Sequence, residues 1–105
     1  MARGKINGGV CGFVTFVQAD AVGNGKIALR ITTDCPNIQK IAEELVQIDS
    51  YDAVFGKELS SNKVYQLMSK HCPHPSCIVG AGILKAIEVA AGLALPQEAS
   101  IKVER

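Results

Sequence analysis

The sequence has few aromatic residues and no excess of charge of either sign. It contains no Trp, two Tyr and three Phe, and its formal net charge is +1 at pH 7. Nucleic-acid-binding domains commonly combine a strongly basic face with aromatic side chains that stack on bases. No basic stripe is visible along this chain, so we expect no nucleic-acid partner.

The sequence also lacks a long uninterrupted apolar run. Its longest apolar stretch, residues 77–95, is interrupted by Lys85 and Glu88, which is typical of a buried helix rather than a membrane span. The first nine residues carry positive charge without the apolar run of a signal peptide. We therefore expect a cytoplasmic protein without membrane contact. A chain of 105 residues, 48% of them hydrophobic, predicts a single domain over residues 1–105 with one core.

Closely paired Cys-x-x-Cys motifs are absent, although the chain has four cysteines. Two of them, Cys72 and Cys77, lie in the segment His71–Cys77, which also contains both histidines and two prolines. Thiolate and imidazole are the ligands that soft and borderline metals prefer, and a stiff loop lowers the entropy cost of gathering them. In a reducing compartment such cysteines are more often thiols, ligands or catalytic groups than disulfides. Burial of the cysteines as small apolar residues is the alternative.

Hydrophobic periodicity and turn signals predict an α+β fold. Asn24-Gly25 between two apolar runs predicts a β-hairpin, and Gly92 is expected to end the last helix. An antiparallel sheet, made of this hairpin and a C-terminal strand, is expected to carry helices on one face. The predicted strands are residues 10–22, 26–33 and 100–104. The predicted helices are residues 36–46, 50–56, 77–91 and a short one that follows the cap signal Ser60-Ser61-Asn62 and ends at Lys70 or His71.

This arrangement predicts that the cysteines share one end of the molecule. Cys35 and Cys77 are expected at helix N-termini, where the helix dipole and free N–H groups favour a thiolate, and Cys72 lies just before the second of these helices. Counting back along the hairpin places Cys11 opposite residues near position 38, close to Cys35. The predicted metal ligands are therefore Cys35, Cys72 and Cys77, with Cys11 as the fourth.

The two histidines have alternative interpretations. His71 and His74 are further candidate ligands or partners of the ligands. His71 could instead cap the C-terminus of a helix, where a cation is favoured, and His74 between two prolines could simply be exposed. Glu43 and Glu44 are expected on a solvated helix face.

Signals for a catalytic site are weak. The sequence has no Ser/His/Asp arrangement typical of a nucleophile elbow, and Gly23-Asn24-Gly25 fits a hairpin rather than a phosphate-binding loop. His71 and Cys72 are adjacent in sequence, and adjacent residues seldom have the side-chain geometry of a Cys–His nucleophile. The residues favour a binding protein over an enzyme, and the question stays open.

The order of these motifs resembles the iron–sulfur cluster scaffold proteins of the IscU/NifU type. The shared features are a cysteine in an early strand, the segment Asp34-Cys35-Pro36-Asn37-Ile38 leading into a helix, and His71-Cys72 before the final helix. The second half also resembles the TSCPD domain, through Asp34-Cys35-Pro36-Asn37 and Cys72 followed by Ser76-Cys77. The first resemblance implies a cluster scaffold with cysteine ligands, and the second implies a metal- or thiol-bearing accessory domain.

Three functional hypotheses follow. The first is a small protein that binds an iron–sulfur cluster or zinc through its cysteines, as a scaffold or carrier, and that exchanges the metal with a protein donor or acceptor. The second is a thiol-redox module that uses Cys72 and Cys77, or Cys35 and Cys77. The third is a non-catalytic interaction domain with buried cysteines. Gly80, Gly82 and the apolar surplus suggest a homodimer or a partner surface.

Overall fold

A four-stranded antiparallel sheet supports the rest of the structure, a computed structural model that describes residues 1–56 and 58–105. The strands follow one another across the sheet in chain order, each antiparallel to the last. They are β1 (Ala2–Asn7), β2 (Val14–Gly23), β3 (Lys26–Thr33) and β4 (Gln47–Asp49).

The central hairpin is confirmed, and its turn explains the register. Asn24 and Gly25 both have positive φ, 55° and 73°, as a two-residue primed turn requires. This turn pairs Thr15 with Thr33 and Ala21 with Ile27, one residue away from the register expected by counting along the chain. The loop before β2 and the end of β3 therefore lie at the same end of the sheet.

Side-chain alternation divides the sheet into a buried and an exposed face. On β2 and β3 the buried side chains include Val17, Ala19 and Ile27, whereas Phe16 and Arg30 on the opposite face are exposed. The period of two makes one face of each strand apolar and leaves the other in solvent. The apolar face is the one that the helices cover.

Among the described residues there are four α-helices: three of them contact the sheet and the third in chain order packs on the other helices, which confirms the α+β class with an antiparallel sheet. The longest, the last in the chain, lies over β1 and β2, with Gly82 directly against Ile6. Two short 3₁₀ helices lie at Gly9–Cys11 and Leu59–Ser61. The α-helices are α1 (Pro36–Glu44), α2 (Ser50–Val54), α3 (Lys63–His71) and α4 (Val79–Ala90).

The predicted cap of α3 is confirmed. The buried Asn62 side chain accepts hydrogen bonds from the N–H groups of Val64 and Tyr65 and donates one to the carbonyl of Ala53 at 2.8 Å. The cap therefore satisfies the free donors of the helix start and also ties α3 to the end of α2.

The predicted C-terminal strand is wrong. Residues 100–104 form no strand, and Ile101 and Val103 are 72% and 87% exposed. Alternation alone does not make a strand, because backbone hydrogen bonds need a neighbouring edge, and this segment pairs with none in the described chain. β1 and β4 occupy the two edges instead, and neither was expected from the sequence.

The starts of one strand and one helix also differ from prediction, and α1 and α2 each end two residues earlier than predicted. The strand expected from residue 10 begins at Val14, because Gly9 and Gly12 have positive φ of 80° and 76° and form a turn. The last helix begins at Val79 rather than Cys77, and Ser76 does not cap it. In the described part of the chain, no helix has the length and apolarity needed to cross a membrane.

A candidate thiol site at three helix ends

Three cysteines occupy the ends of three different helices. Cys35 is the N-cap residue of α1, Cys72 is the C-cap residue of α3, and Cys77 lies two residues before α4. Each is half-buried and packs against the edge of the hydrophobic core. The site therefore draws its thiols from three separate elements of the fold.

Cys35 is positioned by the end of the central hairpin. Its N–H donates a hydrogen bond of 3.1 Å to Oγ1 of Thr33, which itself hydrogen-bonds Oγ1 of Thr15 across the strands at 2.9 Å. Pro36, at the first position of α1, has the fixed φ that a helix start requires. The strand end thus directs Cys35 into the first turn of α1.

One carbonyl group closes the loop between Cys72 and Cys77. The carbonyl oxygen of His74 accepts a hydrogen bond of 3.1 Å from the N–H of Cys77 and one of 3.8 Å from the Cys72 thiol. Pro75 occupies the second position of this turn, where its fixed φ favours the bend. The loop therefore brings its two cysteines back towards each other.

Cys77 lies close enough to Cys72 and Cys35 for their charge to affect its ionisation. Burial raises the pKa of the Cys77 thiol, and negative charge on Cys72 and Cys35 and a hydrogen bond with the Cys72 side chain raise it further. A hydrogen bond from the N–H of Val79 acts in the opposite direction. The expectation that a helix N-terminus lowers the pKa at Cys77 is therefore wrong, because burial outweighs that single donor.

Cys11 stands apart from this group. It is exposed in the 3₁₀ turn between β1 and β2, where its sulfur lies against Gly8, and it is not among the groups that shift the pKa of Cys77. The strand pairing nevertheless puts its loop at the same end of the sheet as Cys35, since Thr15 pairs with Thr33. Counting along the sequence therefore predicts the correct end of the molecule for Cys11, but it places this residue on a strand rather than in a turn.

The histidines point to different roles. Nε2 of His71 is hydrogen-bonded to a carboxylate oxygen of Glu44, and Nζ of Lys70 lies 3.2 Å from the other. These two contacts lower the pKa of Glu44. Glu44 is therefore not a plain solvated residue: it joins the end of α1 to the end of α3. His74 contributes its carbonyl to the loop, and its side chain is exposed.

No ready-made metal centre is visible. Within residues 1–56 and 58–105, no group of three or more Cys, His, Asp or Glu side chains is arranged to hold a metal ion. The donor types suit a thiophilic metal, but coordination requires the thiols to turn towards a common point. The described surface also has two shallow depressions, one near Phe16 and Arg30 and one near Tyr51 and Phe55, and no cysteine lines either.

The fold and site define a small α+β protein with a cluster of thiols at helix ends. The chain belongs to a family of unknown function, DUF6951, whose model matches residues 2–103. No curated protein and no solved structure matches it. The resemblance to IscU/NifU-type scaffolds and to TSCPD domains stays a prediction.

Proposed function

We propose that this protein binds an iron–sulfur cluster or a thiophilic metal ion such as zinc through Cys35, Cys72 and Cys77, as a scaffold or carrier. The observation that carries the proposal is the geometry: three half-buried cysteines lie at the ends of three different helices, against the edge of one core, and the loop between Cys72 and Cys77 is closed through the His74 carbonyl. Cys11, in the loop at the same end of the sheet, is the fourth candidate ligand.

Electrostatics gives the physical argument for a cation. Burial raises the pKa of the Cys77 thiol, and thiolates at Cys72 and Cys35, which repel a thiolate there, raise it further. A bound cation removes this repulsion, because each ligand must lose its proton and the positive charge then stabilises all three anions. A cluster of thiols that is costly to ionise without a cation is thus a favourable site for one.

The local structure supplies both rigidity and freedom. The backbone of Cys35 is fixed by one hydrogen bond to Thr33, whereas Cys72 and Cys77 lie on a short loop closed through the His74 carbonyl. Binding of a metal requires the side chains on this loop to rotate towards Cys35. His71 is engaged by Glu44 through Nε2, so we place it beside the site rather than among the first ligands.

A thiol-redox module is the second candidate. The His74 carbonyl favours it, because it accepts hydrogen bonds from both the Cys72 thiol and the N–H of Cys77 and so holds the two ends of the loop near each other. In this reaction a thiolate on one cysteine attacks a small disulfide to form a mixed disulfide, and the second cysteine displaces it. The two protein thiols lose two electrons and two protons, and the small disulfide is reduced to two thiols.

Metal and sulfide analysis of protein purified without oxygen tests the first proposal. We expect near-stoichiometric iron with acid-labile sulfide, or stoichiometric zinc, in the wild-type protein. The changes Cys35→Ser, Cys72→Ser and Cys77→Ser should each remove most of the metal. Ser76→Ala, within the same loop, is the matched control and should leave the content unchanged.

The alternatives predict different results from the same preparations. Metal-free protein that forms a reversible Cys72–Cys77 disulfide with oxidised glutathione, seen by mass spectrometry, would replace the metal proposal with the redox one. Metal-free protein that forms no such disulfide would refute both and favour an interaction domain. Metal content equal in wild type and all three serine variants would also refute the proposed ligands.

A further inference from the structure

The C-terminal segment is exposed along its whole length. After α4 and Gly92, residues 95–105 have neither helix nor strand and no buried side chain. Ile101 and Val103 alternate with Lys102 and Glu104, and the latter two form an ion pair at 3.0 Å. Residues two apart share a side only in an extended chain, so the segment has the apolar and polar faces of a strand. The family model reaches residue 103, so this tail is part of the family pattern.

β1 is an edge strand whose outer edge has no strand partner among the described residues. It pairs with β2 along all six residues, and no segment in the described chain pairs with its other edge. Edge strands with free N–H and C=O groups readily accept another strand. The inward-facing residues of β1 are small or apolar, Ala2, Gly4 and Ile6, and the outward-facing ones include Arg3 and Lys5.

The tail and the edge have complementary properties. A strand added to β1 would place Ile101 and Val103 beside its inward-facing residues, on the side of the sheet that α4 covers. The opposite side of the tail carries Lys102 and Glu104, which pair with each other and add no net charge beside Arg3 and Lys5. Two exposed apolar side chains and a free strand edge would thus be buried by one interaction.

We propose that residues 100–104 add as a strand to the edge of β1 in a second copy of the chain, with two tails exchanged about a two-fold axis. The nine residues from Gly92 to Ile101 can span about 30 Å when extended, which is enough to reach a neighbouring molecule. An exchange of this kind is closed, because each copy donates one tail and accepts one at the β1 edge. The dimer therefore arises from the tail rather than from Gly80 and Gly82, which pack inside the molecule against Met68 and Ile6.

Light scattering coupled to size exclusion tests this exchange on the full chain. Wild type should have twice the monomer mass of 11.1 kDa. Ile101→Asp combined with Val103→Asp should give a folded monomer, whereas Lys102→Ala combined with Glu104→Ala, on the other face of the same segment, should remain dimeric. Circular dichroism of each variant checks that the fold is retained.

Hydrogen exchange at β1 gives an independent readout. Amide hydrogens of residues 2–7 that point away from β2 should exchange at least about ten times more slowly in the wild type than in the Ile101→Asp/Val103→Asp variant. Monomeric wild-type protein would overturn the proposal, and so would a dimer that survives the aspartate pair. Slow hydrogen exchange at β1 in a monomer would show that the tail pairs with β1 of its own chain. That result would also overturn the proposed dimer.

Discussion

The state of the Cys77 thiol is the most specific consequence of the site at the residue scale. Its pKa is raised, first by burial and then by Cys72 and Cys35, and alkylation requires the thiolate. We expect Cys77 to react with iodoacetamide more slowly than a free peptide thiol at neutral pH and to reach full reactivity only at higher pH. Mass spectrometry of labelling against pH measures this.

Serine variants separate the two causes of the Cys77 shift. Cys72→Ser and Cys35→Ser remove like charges, so the pH at which Cys77 becomes reactive should fall in each. Burial remains, so the pKa should stay above that of a free thiol. Cys11→Ser, the matched control, should leave the profile unchanged, and a wild-type profile identical to that of a free thiol would contradict the prediction.

Residue types were easier to predict than residue environments. The composition of His71–Cys77 predicts a chemical site, and the helix cap signal places Cys35 correctly at the start of α1. The raised pKa of Cys77 depends on burial and on neighbours 5 and 42 residues away, which no local pattern encodes. The contact between His71 and Glu44, 27 residues apart, was missed for the same reason.

Glu44 gives a prediction for the contact between elements, because it joins α1 to α3. Hydrogen bonds from His71 and Lys70 lower its pKa, so its stabilising effect is present above the ordinary carboxyl pKa and is lost as pH falls through the lowered value. We expect Glu44→Gln to destabilise the protein near neutral pH and to have little effect in acid. Urea unfolding of wild type and variant against pH measures the difference.

Glu43 supplies the control for this experiment. It precedes Glu44 on α1, is exposed, and forms no ion pair among the described residues. Glu43→Gln should therefore change the free energy of unfolding less at neutral pH. A loss of stability in Glu44→Gln that persists unchanged in acid would show that charge at Glu44 is not its cause.

The seating of α4 on β1 depends on Gly82. A Cβ at this position would overlap Cγ1 and Cδ1 of the buried Ile6. Overpacking of this kind costs about 1–3 kcal/mol, against a helix-propensity gain of about 1 kcal/mol for Gly→Ala. We expect Gly82→Ala to lower the free energy of unfolding. The same change should cost less when it is made in an Ile6→Ala background, as a double-mutant cycle in urea would show.

Gly80→Ala is the matched change on the same helix. Its Cβ would lie 3.0 Å from Cγ of Met68, a flexible side chain that can move aside. The cost should be smaller than at Gly82, since the propensity gain is the same. Two outcomes would mean that the overlap with Ile6 does not limit the packing. One is an equal loss in the free energy of unfolding for Gly80→Ala and Gly82→Ala, and the other is an undiminished cost of Gly82→Ala in the Ile6→Ala background.

Elements were predictable where the local signal was strong. The Asn24-Gly25 turn and the alternation after it gave β3 at its observed bounds, and Asn62 gave the start of α3. β1 and β4 were missed because a short strand with a glycine or few apolar residues exists only through its partner. The tail was predicted as a strand for the opposite reason: it has the pattern but lacks a partner in the described chain.

The proposed site connects distant parts of the whole molecule, so a bound metal should stabilise all of it. Cys35 fixes α1 and the hairpin, Cys72 the end of α3, and Cys77 the start of α4. A ligand that binds the folded state at about 100 times its Kd adds about 2.7 kcal/mol, which for a domain of this size is roughly 10 °C or more in Tm. We expect zinc or anaerobic ferrous iron to raise the wild-type Tm by this order.

Serine variants decide whether that stabilisation arises at the thiols. Cys35→Ser and Cys77→Ser should abolish the rise in Tm with zinc, and magnesium, which prefers oxygen ligands, should have no effect on the wild type. Cys11→Ser should keep most of the rise, because three of the four proposed ligands remain. An equal rise in Cys35→Ser would mean that the metal binds elsewhere. Loss of the rise in both Cys35→Ser and Cys77→Ser would mean that one ion joins α1 to α4. An ion held only by Cys72 and Cys77, within a single loop, would be unaffected by Cys35→Ser.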